Sequence, residues 1–190
     1  MTKIKITSKS KAEINWDKAK RDLDFIKSFQ SFCQSQDWRI VVSGGYGLDI
    51  LLGQITRTHN DVDIIIYGQS GRDEAISKIQ IYLKKLIKNV TIKIAENDFM
   101  VEIDPNSPGF GANIYYVQTE SNPYINLNTI IKQSGEQITN SPKRFPLPAK
   151  GKLNDLEIEV QNPHTHLADI LYKQGYKPRK STHDQDIANL

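Results

Sequence analysis

The sequence predicts an α+β fold: a mixed β-sheet flanked by helices. Two long stretches, 14–35 and 72–88, carry apolar residues at helical spacing. Short β-branched or alternating runs at 39–43, 61–67, 90–96, 99–103, 113–119 and 156–160 read as strands. These elements do not alternate strand and helix regularly, which argues against a uniform parallel sheet of βαβ units.

Residues 1–12 are polar and read as a flexible lead to a single domain over 13–190. The first helix, 14–35, sets Ala19, Leu23, Ile26 and Cys33 on or near one stripe, with Asn15 placed to cap its start. RIVVS at 39–43 is a strand that Gly44 and Gly45 are expected to break. Residues 46–52 then show a short helical pattern ending at Gly53. The loop 54–60 leads into VDIIIY, the head of a strand over 61–67. Gly68 to Gly71 is a turn, and the second long helix follows with Ala75, Ile79, Leu83 and Leu86 on its stripe. The runs 90–96 and 99–103 are expected to pair antiparallel across Asn97-Asp98. DPNSPGFG at 104–111 is loop by composition, and 113–119 is another strand. From 120 to 150 no period emerges, and prolines stand at 123, 142, 146 and 148. LEIEV at 156–160 is a short strand, and Pro163 suits the first turn of a helix over 164–174. The part from about 120 to 190 is thus less regular than the rest of the domain.

Of the 190 residues, 38% are hydrophobic and 25% charged, which fits one globular core. The longest apolar runs fall far short of a membrane span. MTKIKITSKSK carries charge but no apolar segment, so no secretory signal is read and the cytoplasm is the expected location. The single Cys33 cannot form an internal disulfide and reads as packing in a reducing compartment. A net charge of +3, spread along the chain, suits an anionic small ligand better than the concentrated basic patch of a nucleic-acid reader.

The densest chemistry lies between Gly44 and Asp63. A glycine pair that opens a helix can bring backbone N–H groups close to a phosphate. Asp61 and Asp63 stand two apart at the head of an apolar strand, so both side chains leave on the same face. Two such carboxylates about 4 Å apart repel by roughly 4 kcal/mol at an effective dielectric near 20. A divalent cation turns that repulsion into coordination, and Mg²⁺ takes one or two carboxylates plus substrate phosphates. Arg57 can pair with phosphate or bridge to Asp49 or Asp61, and His59 reads as a hydrogen bonder that orders the loop. Tyr46 is expected to pack in the core, while His164 and His166 fall on different helix faces and make a poor metal pair.

The pattern GGYGLDILLGQITRTHNDVDI resembles the nucleotidyltransferase superfamily that includes DNA polymerase beta. More narrowly, it is similar to the aminoglycoside 2''-adenylyltransferase and lincosamide nucleotidyltransferase group. The segment EVQNPHTHLADILYKQGYKPRKSTHDQDIANL adds a weaker likeness to that group's closing part, so the resemblance spans roughly 38–190. It implies a nucleotidyltransferase-like mixed sheet and transfer of a nucleoside monophosphate, AMP above all, from an NTP to a hydroxyl. It also implies two Mg²⁺ ions, bound by Asp61 and Asp63. Ser43, Gly44 and Gly45 would face the triphosphate, with Arg57 and His59 supporting the loop or touching phosphate. The acceptor could be a small molecule, tRNA or a protein, and the oligomeric state stays open.

The superfamily carries a third carboxylate on a neighbouring strand. The best counterpart here is Asn113, with Glu102 and Asp104 as the acids that would replace it under a different register. Asn113 also supports a second reading, a catalytically impaired member that acts as a nucleotide-binding regulator or toxin–antitoxin component.

Overall fold

The computed structural model describes residues 13–94, 100–103, 110–119 and 148–167. The expectations for 1–12, the Asn97-Asp98 turn, Asp104, 120–147 and everything after 167 lie outside the described residues.

Helix α1 runs Trp16–Ser35. Its first turn is closed as the sequence suggests: the Asn15 side chain accepts from the Lys18 N–H at 3.0 Å. Strand β1, Arg39–Ser43, passes straight into helix α2, Gly44–Leu52. The glycine pair therefore forms the first turn of α2 rather than a break before it. Gly53 ends α2 in a left-handed conformation. Strand β2 is Val62–Gly68 and helix α3 is Arg72–Leu86. On α3, Ala75, Ile76, Ile79 and Leu83 are buried, but Leu86 is 43% exposed. Leu86 is the last helical residue, and the chain turns extended at Ile87 before the apolar stripe completes another turn.

Five more strands follow: β3 (Ile92–Ile94), β4 (Met100–Ile103), β5 (Ala112–Gln118), β6 (Ala149–Leu153) and β7 (Leu156–Val160). The seven described strands form one mixed sheet in the order β3-β4-β5-β2-β1-β7-β6. The pairs β2/β5 and β1/β7 are parallel, and the remaining four are antiparallel. Strand β6 has no signature of its own, because AKGKL lacks β-branched residues. It exists by pairing: Leu153 faces Leu156 across a two-residue Asn154-Asp155 turn, with Asn154 at φ 54°. After β7, residues 163–167 are helical from Pro163 onward, and the Asn162 side chain accepts from the His164 N–H at 3.0 Å.

Alternation along β2 sorts the two faces of the sheet. Val62, Ile64 and Ile66 are buried among Phe25, Ile26, Phe29 and Cys33 of α1 and Ala75, Ile79 and Leu83 of α3. Asp63, Ile65 and Tyr67 therefore leave on the other face, where Tyr67 packs with Val41 and Val117. Burial pushes the Cys33 thiol up, which keeps it protonated and inert, as expected of a packing residue.

Burial also pushes the Tyr67 and Tyr116 hydroxyls up from 10.0 to about 12. The Tyr116 hydroxyl donates to the Ser70 carbonyl at 2.8 Å. Because the folded values lie above the unfolded ones, the stabilisation is whole below pH 10 and is lost as pH rises through about 12. Urea titrations should show stability falling between pH 10 and 12, with a smaller fall in Tyr116→Phe.

Candidate active site

The site forms where β1 ends and β2 and β5 begin. Ser43 is extended and precedes α2, but its side chain makes no capping hydrogen bond. Its hydroxyl points instead to the Asp63 carbonyl, at 3.4 Å. The first N–H groups of α2 are thus left without a Ser43 cap, and a helix start of this kind favours negative charge.

Two glycines make room for what packs on that helix start. Gly44 has φ +62°, and a Cβ there would collide with the Asp63 carboxylate. A Cβ on Gly45 would collide with the His59 ring and lie 2.8 Å from Arg57 Nη2. The pair therefore lets one strand residue and two loop residues come down onto the first turn of α2.

The register sets a row across the sheet. Ser43 pairs with Asp63, Asp63 with Asn113, and Asn113 with Glu102. Asp61 precedes β2 with the same parity and is exposed, whereas Asp63 is half-buried. The Asn113 Nδ2 amide donates to both acids, at 3.2 Å to Asp61 Oδ2 and 2.9 Å to Asp63 Oδ1. Only an NH₂ group can serve two carboxylate acceptors at once, so the orientation of this amide is set by chemistry. Among the described residues no three His, Cys, Asp or Glu side chains gather as a metal cluster. Glu102 enters the row by its backbone register alone, beside Asn113.

Beneath the row lies a buried polar network. His59 is 3% exposed, and its Nε2 meets Asp49 Oδ2 at 2.6 Å. The other Asp49 oxygen accepts from the Thr56 hydroxyl at 2.6 Å. The His59 ring packs on Tyr46 with centroids 4.4 Å apart. Tyr46 is 1% exposed, and its hydroxyl donates to Asp22 Oδ2 at 2.7 Å, which also takes Lys18 Nζ at 2.6 Å. Burial, and then the Asp22 carboxylate, push the Tyr46 hydroxyl well up. Tyr46 is thus a core residue, and His59 ties the 54–60 loop to α2. The Asn15 N–H anchors the same loop to α1 through the Thr58 hydroxyl at 2.8 Å.

Asp22 and the Asp49 pairing with His59 and Thr56 are what sequence reading missed. The signal for Asp22 was present, since it falls on the buried stripe of α1 between Ala19 and Ile26. His164 is exposed and His166 is buried beside α2, in agreement with a poor metal pair.

With this geometry in view, the family description aminoglycoside-2''-adenylyltransferase matches residues 26–190, which include the whole row. The chain belongs to this family. A crystal structure of ANT(2'')-Ia in complex with adenylyl-2''-tobramycin is 11% identical, with TM-score 0.61, covering 89% of this chain and 87% of that one. The lincosamide antibiotic adenylyltransferase LnuA, lincomycin-bound, is 18% identical, with TM-score 0.59, covering 89% and 94%. An antigenic nucleotidyltransferase-like protein from Paracoccidioides brasiliensis is 13% identical, with TM-score 0.51, covering 89% and 73%. No curated protein matches the chain. At these identities the likeness is one of fold, and the fold is the nucleotidyltransferase-like mixed sheet flanked by helices that the sequence predicts. The family is one of nucleotidyltransferases, for which an NTP is the substrate class. No described helix is long and apolar enough to cross a membrane.

The residues present fit a divalent cation. Asp61 and Asp63 offer hard oxygen donors, and the atom now lying between them is an electropositive amide hydrogen.

Replacing Asp49 by Ala would strand the buried His59 Nε2. Leaving such a group unpaired costs about 1–3 kcal/mol. Urea unfolding of Asp49→Ala should therefore show a loss on the order of 2 kcal/mol.

Proposed function

We propose that this protein is a Mg²⁺-dependent nucleotidyltransferase that moves AMP from ATP to a hydroxyl group of a small molecule. The observation that carries the reading is the shared amide of Asn113 on Asp61 and Asp63, set against the glycine start of α2. Asp61 and Asp63 are the residues that hold the metal. Bound Mg²⁺ neutralises phosphate charge and lowers the pKa of an attacking hydroxyl. Ser43, Gly44 and Gly45 present the first amides of α2 to the triphosphate. Arg57, lying over Gly45, adds a guanidinium to the phosphates. His59 acts through the loop that carries Arg57, since its Nε2 is committed to Asp49.

In the transfer the acceptor oxygen forms a bond to the α-phosphorus. The bond from that phosphorus to the bridging oxygen of the β-phosphate breaks, and pyrophosphate leaves. The acceptor proton passes to a carboxylate. Glu102, in register beside Asn113, is the acid we assign to that step, with Asp104, two residues further along the chain, as the other choice. The buried, inert Cys33 fits work in the cytoplasm.

The test is incubation with Mg²⁺ and ATP labelled in the α-phosphate against a panel of hydroxylated acceptors, with tRNA and protein included. Label should reach a small molecule. Transfer to tRNA or protein would reassign the acceptor, and binding without transfer would favour the nucleotide-binding regulator. A metal contributes several kcal/mol to such a step, so Asp61→Asn and Asp63→Asn should each lose about 100-fold or more in rate. Activity that survives both changes would remove the assigned metal site. Whichever of Glu102→Gln and Asp104→Asn loses more rate identifies the base.

A further inference from the structure

We propose that Asn113 makes this a site for one protein-held divalent cation rather than two, and that its amide takes the cation's place when none is bound. The inference rests on the reading of Asp61 and Asp63 as metal ligands. It deepens that reading by assigning a role to a residue that is not an acid.

Asn113 is the residue paired with Asp63 in the parallel β2/β5 ladder, so it stands directly beside that carboxylate on the same face of the sheet. Its amide nitrogen reaches both acids at hydrogen-bond distance. Asp63 itself cannot retreat freely, because its carboxylate is seated on Gly44. The two negative groups therefore gain from an electropositive partner in every state of the protein, and the amide is the one that spans both of them. One doubly charged ion balances two carboxylates. A second ion, about 3.5–4 Å away as in two-metal sites, would meet an uncharged amide at this position. With Glu102 committed to the acceptor's proton, the phosphates of the nucleotide would be left to balance most of its charge. The amide can also rotate to present its oxygen to a hard cation, a neutral ligand of the kind Mg²⁺ and Mn²⁺ accept.

Asn113→Asp changes the charge at this point with almost no change in size, and Asn113→Ala removes the donor without adding charge. Two measurements on the full chain separate the cases. The first is thermal melting in EDTA and then with Mn²⁺ alone. Asn113→Asp should melt below the native chain in EDTA, because a third carboxylate then stands where the amide donor was. It should also gain more from Mn²⁺ than the native chain does. Asn113→Ala should melt lower in EDTA as well, without the larger gain from Mn²⁺. The second is counting bound Mn²⁺ by electron paramagnetic resonance in the presence of a non-hydrolysable ATP analogue. One ion per native chain and two per Asn113→Asp chain is the expected result. Two ions in the native chain, one ion in both, or unaltered melting of Asn113→Asp in EDTA would each overturn the proposal. Mn²⁺ binding that is absent, or unaffected by Asp61→Asn and Asp63→Asn, would instead overturn the metal assignment on which it rests.

Discussion

The site depends on how closely the head of β2 can approach the first turn of α2. The Asp63 carboxylate, the His59 ring and the Arg57 guanidinium occupy the space where side chains at positions 44 and 45 would stand. Any residue with a Cβ would separate strand from helix, and the acids would lose their place beside the helix amides. The positive φ of Gly44 adds a second constraint at the same point. Close approach here also concentrates opposite charge. The helix start, Arg57 and the Asn113 amide all bring positive potential to two carboxylates that would otherwise repel.

A buried polar network supports this contact from below. It runs from Lys18 and Asp22 through Tyr46, by ring packing to His59, and on to Asp49 and Thr56. Polar groups in a low-dielectric interior are tolerated when they are paired, and then they specify one arrangement. Here the arrangement joins α1, α2 and the loop before β2. The loop has little apolar surface of its own, so hydrogen bonds take over the positioning that packing supplies elsewhere. This explains how Arg57, on a loop, can be set over Gly45.

The structure bears out helices α1, α2 and α3, the antiparallel β3/β4 pair and the mixed sheet, because each has a local signal: a period, a cap or an alternation. Strand β6 lacks one, since AKGKL becomes a strand only by pairing with β7. Leu86 follows the apolar period of α3 yet is exposed, because a period says nothing about where the helix itself ends. In the candidate site, the glycines and both acids are legible from composition and spacing. The burial of Asp22 is legible from its stripe, but its partner is not, because Tyr46 lies on another helix.

Spacing alone settled that Asp61 and Asp63 leave the chain on one face, since a strand alternates by a fixed rule of covalent geometry. Which group would meet them there depends on the register of β5 against β2. That register is a long-range choice made by burying Ile64, Ile66, Ile114 and Tyr116 under the helices. The same choice set Asn113, rather than an acid, between the two carboxylates. The charge carried by the strand head was thus written locally, while the group that answers it was decided by the packing of the whole sheet.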